Sequence, residues 1–358
     1  MEAKAEKYIL HGKALFEGRD FEAAYAQLSQ AIYILEEDDT SLWMNPEEMA
    51  ELYLLRGSAL YKDSEGKIFN DPDLFAQIIE DYDQAISFQP DNSLYYRMRG
   101  YLYLNCKFED YKREAKEDFK AAINANKNDA PAHRLMGEAL SKEEEYEKAI
   151  FYFTQSLAIQ KEAEIYMLRG VCHFRKAVPD FTSAAQDFGE AQKQLPKLEE
   201  LYIWRAQCFQ ELGDFTSAIE EYDRLVEIAP GNASHLIDRG TIKYAIDPED
   251  AFSDFNKALE ITVHPLALNN RAYYYLQQGD YDSAIEDAKM ALEVDSNYSI
   301  AYATLAEIYA TQGDREAFYH FLELAKQHYY EDIIDIMMEP AFAPYTAEPR
   351  FLKIIGKD

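Results

Sequence analysis

The stretch LNNRAYYYLQQGDYDSAIEDAKMALEVD, residues 268–295, has a near copy two periods upstream, YIWRAQCFQELGDFTSAIEEYDRLVEIAP, residues 202–230. In both, Arg precedes a small residue (Arg271-Ala272, Arg205-Ala206), a Gly-Asp pair follows, and a second small residue (Ala284, Ala218) opens another apolar periodicity. Apolar positions recur at intervals of three and four on each side of the Gly-Asp pair. Each copy therefore predicts two amphipathic helices joined by a tight turn.

Working outward, the first small residue recurs at Gly12, Gly57, Gly100, Gly137, Gly170, Ala206, Gly240, Ala272 and Ala306, with a period of about 34 residues that is regular in the C-terminal half and lengthened by insertions in the N-terminal half. The second recurs at Ala24, Ala115, Ala149, Ala184, Ala218, Ala251 and Ala284, and Ile78 replaces it in the second repeat. Four positions on stands Leu28, Phe119, Phe153, Phe188, Tyr222, Phe255 or Ala288, which keeps one helix face apolar. Pro90, Pro196 and Pro230 fall where a helix must stop. The chain is 48% hydrophobic with 28 Tyr and 20 Phe, which excludes a disordered polymer, and at 358 residues it is too long for one compact core.

This pattern resembles the tetratricopeptide repeat family. The resemblance runs from about residue 5 to residue 329 and implies an all-α, right-handed superhelical solenoid of about nine helix hairpins. The repeats are expected to start near residues 5, 50, 93, 130, 163, 199, 233, 265 and 299. Residues 330–358, including EPAFAPYTAEPRFLKIIGKD, look like the capping helix and tail found on bacterial members, which cover the apolar face of the last repeat. Asn45 and Pro46 read as the cap and first residue of a helix, and KDSEGKIFNDPDLF, residues 62–75, is expected to protrude as a loop.

A row of arginines precedes the small residue at Arg56, Arg99, Arg169, Arg205, Arg239 and Arg271. About sixteen positions later, once insertions are allowed for, stand Asp81, Asp118, Asp187, Glu221, Asp254 and Asp287. Repeats that lack the Arg carry His11, Met136 or Leu305, and their counterparts are Gln27, Tyr152 and Phe321. Both charges vanish together, so the expected arrangement is an ion pair bridging the two helices of one repeat. These arginines are framework and leave the list of ligand contacts.

The resemblance further implies a concave groove built from first helices. Expected groove residues are Arg97, Met98, Tyr101, Arg134, Leu135 and Glu138 in the third and fourth repeats, with Ile203, Trp204, Gln207, Asn269, Asn270 and Tyr273 in the sixth and eighth. Trp204 is the expected anchor, the Asn pair suits a peptide backbone, and Arg97 with Arg134 reads as a small basic patch. The position after the small residue carries no Asn in any repeat, so the carboxylate clamp of chaperone-binding members is not expected.

No catalytic motif is found: GxGxxG, GxxxxGK[ST], GxSxG and HExxH are all missing, and the seven His are dispersed. Neither metal nor cofactor is expected. A net charge of −30 opposes nucleic-acid binding and favours a protein or peptide partner with a basic or mixed surface. No apolar run reaches membrane-spanning length, and Cys106, Cys172 and Cys208 read as reduced core side chains, so a cytoplasmic protein is expected. The function that follows is a non-catalytic scaffold or adaptor. The alternatives are a self-associating module working through residues 62–75 or the cap, and an acidic inhibitor that mimics nucleic acid.

Overall fold

The structure, a computed structural model, describes residues 2–37, 45–107, 110–328 and 340–356. Among these residues every regular element is helical. Residues 1–195 and 196–358 form two compact units that meet at the turn containing Pro196, a division the uniform repeat pattern does not announce.

The first unit pairs α1 (Glu2–Glu17) with α2 (Phe21–Glu37), α3 (Pro46–Asp63) with α4 (Pro72–Phe88), and α5 (Ser93–Asn105) with α6 (Lys112–Ala125). It continues with α7 (Ala130–Lys142) against α8 (Tyr146–Ile159) and α9 (Ala163–Arg175) against α10 (Phe181–Gln194). The second unit pairs α11 (Glu199–Glu211) with α12 (Phe215–Ile228), α13 (Ala233–Lys243) with α14 (Pro248–Ile261), α15 (Pro265–Gln277) with α16 (Tyr281–Val294), and α17 (Ser299–Gln312) with α18 (Arg315–Gln327). A last helix, α19 (Pro349–Ile355), follows a short 3-10 turn at Pro340–Phe342. In the first two repeats α1 begins at Glu2 and α3 at Pro46, a few residues before the repeat starts expected near 5 and 50.

Local chemistry sets the hairpins. The Gly of the Gly-Asp pair adopts φ of +73° at Gly213, +75° at Gly279 and +74° at Gly313, a left-handed conformation that costs glycine little. The following Asp then caps the second helix: Asp214, Asp280 and Asp314 accept from the backbone N–H three residues on. Repeat 4 has Glu144-Glu145 there; Glu144 takes φ +61° without being glycine, and Glu145 makes no side-chain cap. Asn45 caps α3 in a reciprocal capping box with Glu48.

Helices of a hairpin cross at the small residue because nothing larger fits. A Cβ on Gly137 would stand 2.7 Å from the Phe153 ring, and one on Gly240 2.7 Å from Phe255, distances that force a rearrangement. Where the small residue is Ala272, its partner Ala288 has receded to match, and both sit in one cluster with Leu276 and Leu305. Cys172 and Cys208 are buried free thiols among these contacts, with burial pushing the Cys208 thiol up to about 12; Cys106 is only half-buried.

The arginine row brackets each crossing. Arg56, Arg99, Arg169, Arg239 and Arg271 each grip Asp81, Asp118, Asp187, Asp254 and Asp287 through Nε and Nη2, and Arg205 donates from Nη1 to Glu221 at 2.8 Å. In the tightest example, Arg239 Nε and Nη2 lie 2.8 and 2.6 Å from Asp254, whose residue is 1% exposed. Burial opposes the charge on Arg239, and the Asp254 and Asp223 carboxylates outweigh it, holding the guanidinium more firmly protonated than usual. The sequence pairing missed a third arm. Nη1 of Arg99, Arg169, Arg239 and Arg271 reaches back to Asp83, Thr154, Asp223 and Asn256 on the second helix of the preceding repeat, at 2.5, 3.0, 2.7 and 2.8 Å. One side chain thus ties two helices of its own hairpin and a third from its neighbour. In the uncharged repeats His11 bonds Gln27 at 3.2 Å, whereas Leu305 and Phe321 pack as apolar neighbours.

The insertion at residues 62–75 does not protrude. Gly66, at φ +84°, turns the chain into a 3-10 helix, Lys67–Asn70, whose Ile68 is 0% exposed beside Phe75, Ile78 and Tyr82. Four apolar side chains in that segment, Ile68, Phe69, Leu74 and Phe75, pack on this cluster and gain burial that an open loop would forgo. At the other end Phe342, Tyr345, Phe351, Ile354 and Ile355 cover Phe318, Tyr319 and Leu322 of the last hairpin. The expected start of the cap, residues 330–339, lies outside the described residues.

Three outcomes follow. Asp254→Ala strands a largely buried guanidinium, costing roughly 3 kcal/mol or more, and lowers Tm by about 6 °C or more in a thermal melt. Transplanting the apolar pair of repeat 9, as Arg239→Leu with Asp254→Phe, recovers most of that loss; a melt as low as the sum of the single substitutions contradicts the account. Writing the common turn into repeat 4, as Glu144→Gly with Glu145→Asp, raises stability by about 1 kcal/mol in urea denaturation.

Candidate protein-binding surface

Within each unit neighbouring first helices touch, α5 with α7 and α7 with α9 in the first, α13 with α15 and α15 with α17 in the second. Each run forms a wall, and the expected groove residues other than those on α11 stand on these helices.

In the first unit the arginines of that wall lie against acids, although Arg97 Nε makes no hydrogen bond. Arg97 Nε lies 3.4 Å from Asp129, a buried carboxylate that also caps α7 by accepting from Ala132 N–H at 3.0 Å. Arg134 is bonded to Glu138 on its own helix and lies 3.9 Å from Glu164 on α9. Burial raises the Glu138 carboxyl above the usual range, against the pull of Arg134. The expected basic patch is therefore an array of ion pairs. Arg97 was read without the acid that the fold brings from the next repeat, and Arg134 without its i,i+4 partner Glu138. Leu135 is buried, and Met98 packs against the apolar cluster around Ile68. The Tyr101 ring meets Tyr61 at 6.3 Å and Phe69, from the folded insertion, at 6.4 Å. Burial pushes the Tyr61 hydroxyl up to about 12.

The second unit differs. Trp204 on α11 is half-exposed beside half-exposed Ile203 and exposed Gln207, and its indole N–H donates to Glu200 one turn back at 3.3 Å. One and two repeats on, Thr241 of α13, Tyr244 at the C-terminal cap of that helix, Phe255 of α14, and Asn269, Asn270 and Tyr273 of α15 line a cavity of about 150 Å3. Asn270 donates to the Thr241 hydroxyl at 3.0 Å, and the Tyr244 and Tyr273 rings stand 5.8 Å apart at 55°. Asn269 is 6% exposed, so it lies beneath the wall surface, and its side-chain oxygen has no hydrogen-bond partner. Burial pushes the Tyr244 hydroxyl up to about 12, with the Tyr273 and Tyr274 hydroxyls and the Glu307 carboxylate adding to it.

Thr241 and Tyr244 were not singled out in the sequence. Thr241 occupies the column of Tyr101, Gln207 and Tyr273, and Tyr244 lies three positions further along; reading every repeat at both columns finds them.

Among the described residues no group of three or more His, Cys, Asp or Glu is placed to hold a metal ion. His133 bonds the Lys127 carbonyl at 3.1 Å, and His264 caps α15 by accepting from Leu266 N–H at 3.2 Å. No described helix is long and apolar enough to cross a membrane.

Three tetratricopeptide repeat models match, over residues 130–162, 177–233 and 265–298. A TPR repeat-containing protein of Methanocaldococcus jannaschii is 24% identical over 286 residues, which make up 71% of this chain and 47% of the relative. Human tetratricopeptide repeat protein 13 is 26% identical over 194 residues, 52% of this chain and 22% of the relative. The chain thus spans less than half the length of these relatives. A solved structure of the C-terminal part of a TPR repeat-containing protein from Cytophaga hutchinsonii superposes with a TM-score of 0.52 at 17% identity, covering 83% of this chain and 99% of that one. Family models fall on three separate stretches of the same helix-hairpin pattern, in both units, and the chain belongs to the tetratricopeptide repeat family.

Proposed function

We propose that this chain is a non-catalytic adaptor that binds a segment of another protein along the first-helix wall of residues 196–358. Tetratricopeptide repeats mediate protein–protein interaction, and the contrast between the two walls supports assigning the contact to the second. The observation that carries this reading is the open cavity at α13 and α15 with an unsatisfied amide in its lining. In the first unit the equivalent arginines and aromatic rings are already engaged by neighbours. Trp204 and Tyr273 supply large, stiff aromatic surface of the kind that anchors interfaces.

A net charge of −30 favours a partner with a basic or mixed surface over nucleic acid or an anionic membrane. The three free cysteines fit a reducing, cytoplasmic setting. Self-association through residues 62–75 loses its support, because the apolar side chains there are spent on the chain's own core. An acidic mimic of nucleic acid would act through diffuse charge and needs no cavity.

Selection of peptides from a displayed random library against the full chain, followed by fluorescence titration, tests the assignment. Trp204→Ala and Tyr273→Ala each weaken the selected peptides by about tenfold, whereas Arg97→Glu and Arg134→Glu leave them within twofold. Raising salt from 0.05 to 0.5 M costs less than tenfold for a segment held by aromatic anchors. Binding untouched by the aromatic substitutions, or abolished by salt, removes the groove assignment.

A further inference from the structure

The cavity on the second wall has a chemistry of its own, and the inference drawn from it rests on the groove reading above. We propose that the α13–α15 cavity receives the side chain of a lysine from the bound segment, its ammonium donating to the Asn269 amide oxygen and lying against the Tyr244 and Tyr273 rings.

The unmet demand in the cavity is for a donor. Asn269 is more than nine-tenths buried and its oxygen is unpartnered, a state that costs about 1 to 3 kcal/mol until something donates to it. Its neighbour Asn270 cannot fill the need, since its amide nitrogen is spent on Thr241. An apolar side chain entering the cavity would leave the amide oxygen dry and unpaired. A carboxylate would bring a second acceptor to an acceptor.

Charge points the same way. The residues that line the cavity carry no cation. Glu307 stands on α17 in the column that holds Thr241 on α13 and Tyr273 on α15, and its carboxylate acts on the Tyr244 hydroxyl. The lining includes two tyrosine rings 5.8 Å apart, and the face of such a ring attracts a cation.

Lysine fits better than arginine for a geometric reason. A guanidinium fork gains its advantage from a bidentate acceptor, which Arg56, Arg99, Arg169, Arg239 and Arg271 show through Nε and Nη2 to their acids. The Asn269 amide presents a single oxygen, suited to a compact ammonium at the end of a thin aliphatic stem. About 150 Å3 is room for such a stem and little more.

The peptides selected above from the random library are the probe. Lysine is expected at one fixed position among them, and its replacement by norleucine, which keeps the stem and removes the ammonium, weakens binding to the unaltered chain by tenfold or more. Against Asn269→Leu the same replacement changes affinity by less than twofold, and that variant melts no lower than the unaltered chain because an unsatisfied buried amide has gone. Tyr244→Ala repeats the comparison at a half-exposed position on which the core does not depend. Selected peptides that lack a fixed lysine, or a norleucine penalty of equal size in all variants, overturn the lysine pocket while a Trp204→Ala loss keeps the groove. Peptides indifferent to Trp204, Tyr273 and Asn269 alike overturn both.

Discussion

Everything in this chain depends on how closely the two helices of a hairpin can approach. At Gly100, Gly137, Gly170 and Gly240 the approach is set by a phenylalanine ring of the second helix lying within 3 Å of where a Cβ would be. That contact fixes the crossing point, and the crossing point places the neighbouring Arg so that its fork meets a carboxylate on the other helix. Three of the four hairpins so closed carry the pair; repeat 4 closes on Gly137 and Phe153 with Met136 and Tyr152 beside them. Burial of apolar surface therefore holds the hairpin together, and the ion pair is added to a contact that already exists. Its gain lies in register: a buried guanidinium accepts one geometry and penalises a slip along the helix by leaving a charge unpaired. The third arm, from Nη1 to the preceding repeat, extends the same control from the hairpin to the stack.

The sequence made the hairpins legible because a repeat tests itself: the small residues, the rings and the paired charges each recur in step. In-repeat partners were readable because their column is occupied by an acid only where an Arg is present. The third arm was hidden for the opposite reason. Asp83, Thr154, Asp223 and Asn256 share a position but not a chemistry, so no single residue type marks the column. Two other readings failed where tertiary contacts outweighed local signals. Residues 62–75 carry Gly, Asp and Asn in the manner of a loop, yet Ile68 and Phe69 turn the segment onto the hairpin. Arg97 looked basic because Asp129 lies in the next repeat and is brought close only by stacking, whereas the close partner of Arg134, Glu138, stands four residues on in the same helix and was legible as an i,i+4 pair.

The division at Pro196 was equally hidden, since the repeat pattern runs through it without a change in spacing. Composition marks it no better: KQLPKLEE, residues 193–200, reads as an ordinary turn between hairpins. The two units nevertheless spend their first-helix walls differently. In residues 1–195 the outward positions are consumed by internal pairing, and part of the face is occupied by the 3-10 segment at Lys67–Asn70.

Residues 196–358 place one unpaired buried atom, the Asn269 oxygen, on a side chain that lines a cavity. A chain selected for stability alone would not place an asparagine oxygen where no donor reaches it, when Leu or Met at the same helical position fills similar volume without that cost. Over much of the chain local and tertiary preferences agree: Gly-Asp turns cap their helices, rings meet glycines, arginines meet acids. Other buried atoms also make no hydrogen bond, among them Arg97 Nε, His133 Nδ1 and the Tyr298 hydroxyl, but the Asn269 side chain shares the lining of a cavity with two tyrosines, and there the loss is of the kind that proteins accept where a ligand makes it good. The neighbouring Asn270 shows what the alternative looks like, its amide already tied to Thr241 and so unavailable. The difference between these two adjacent asparagines, one satisfied at the surface and one unsatisfied beneath it, distinguishes a wall that merely packs from one built to receive a donor.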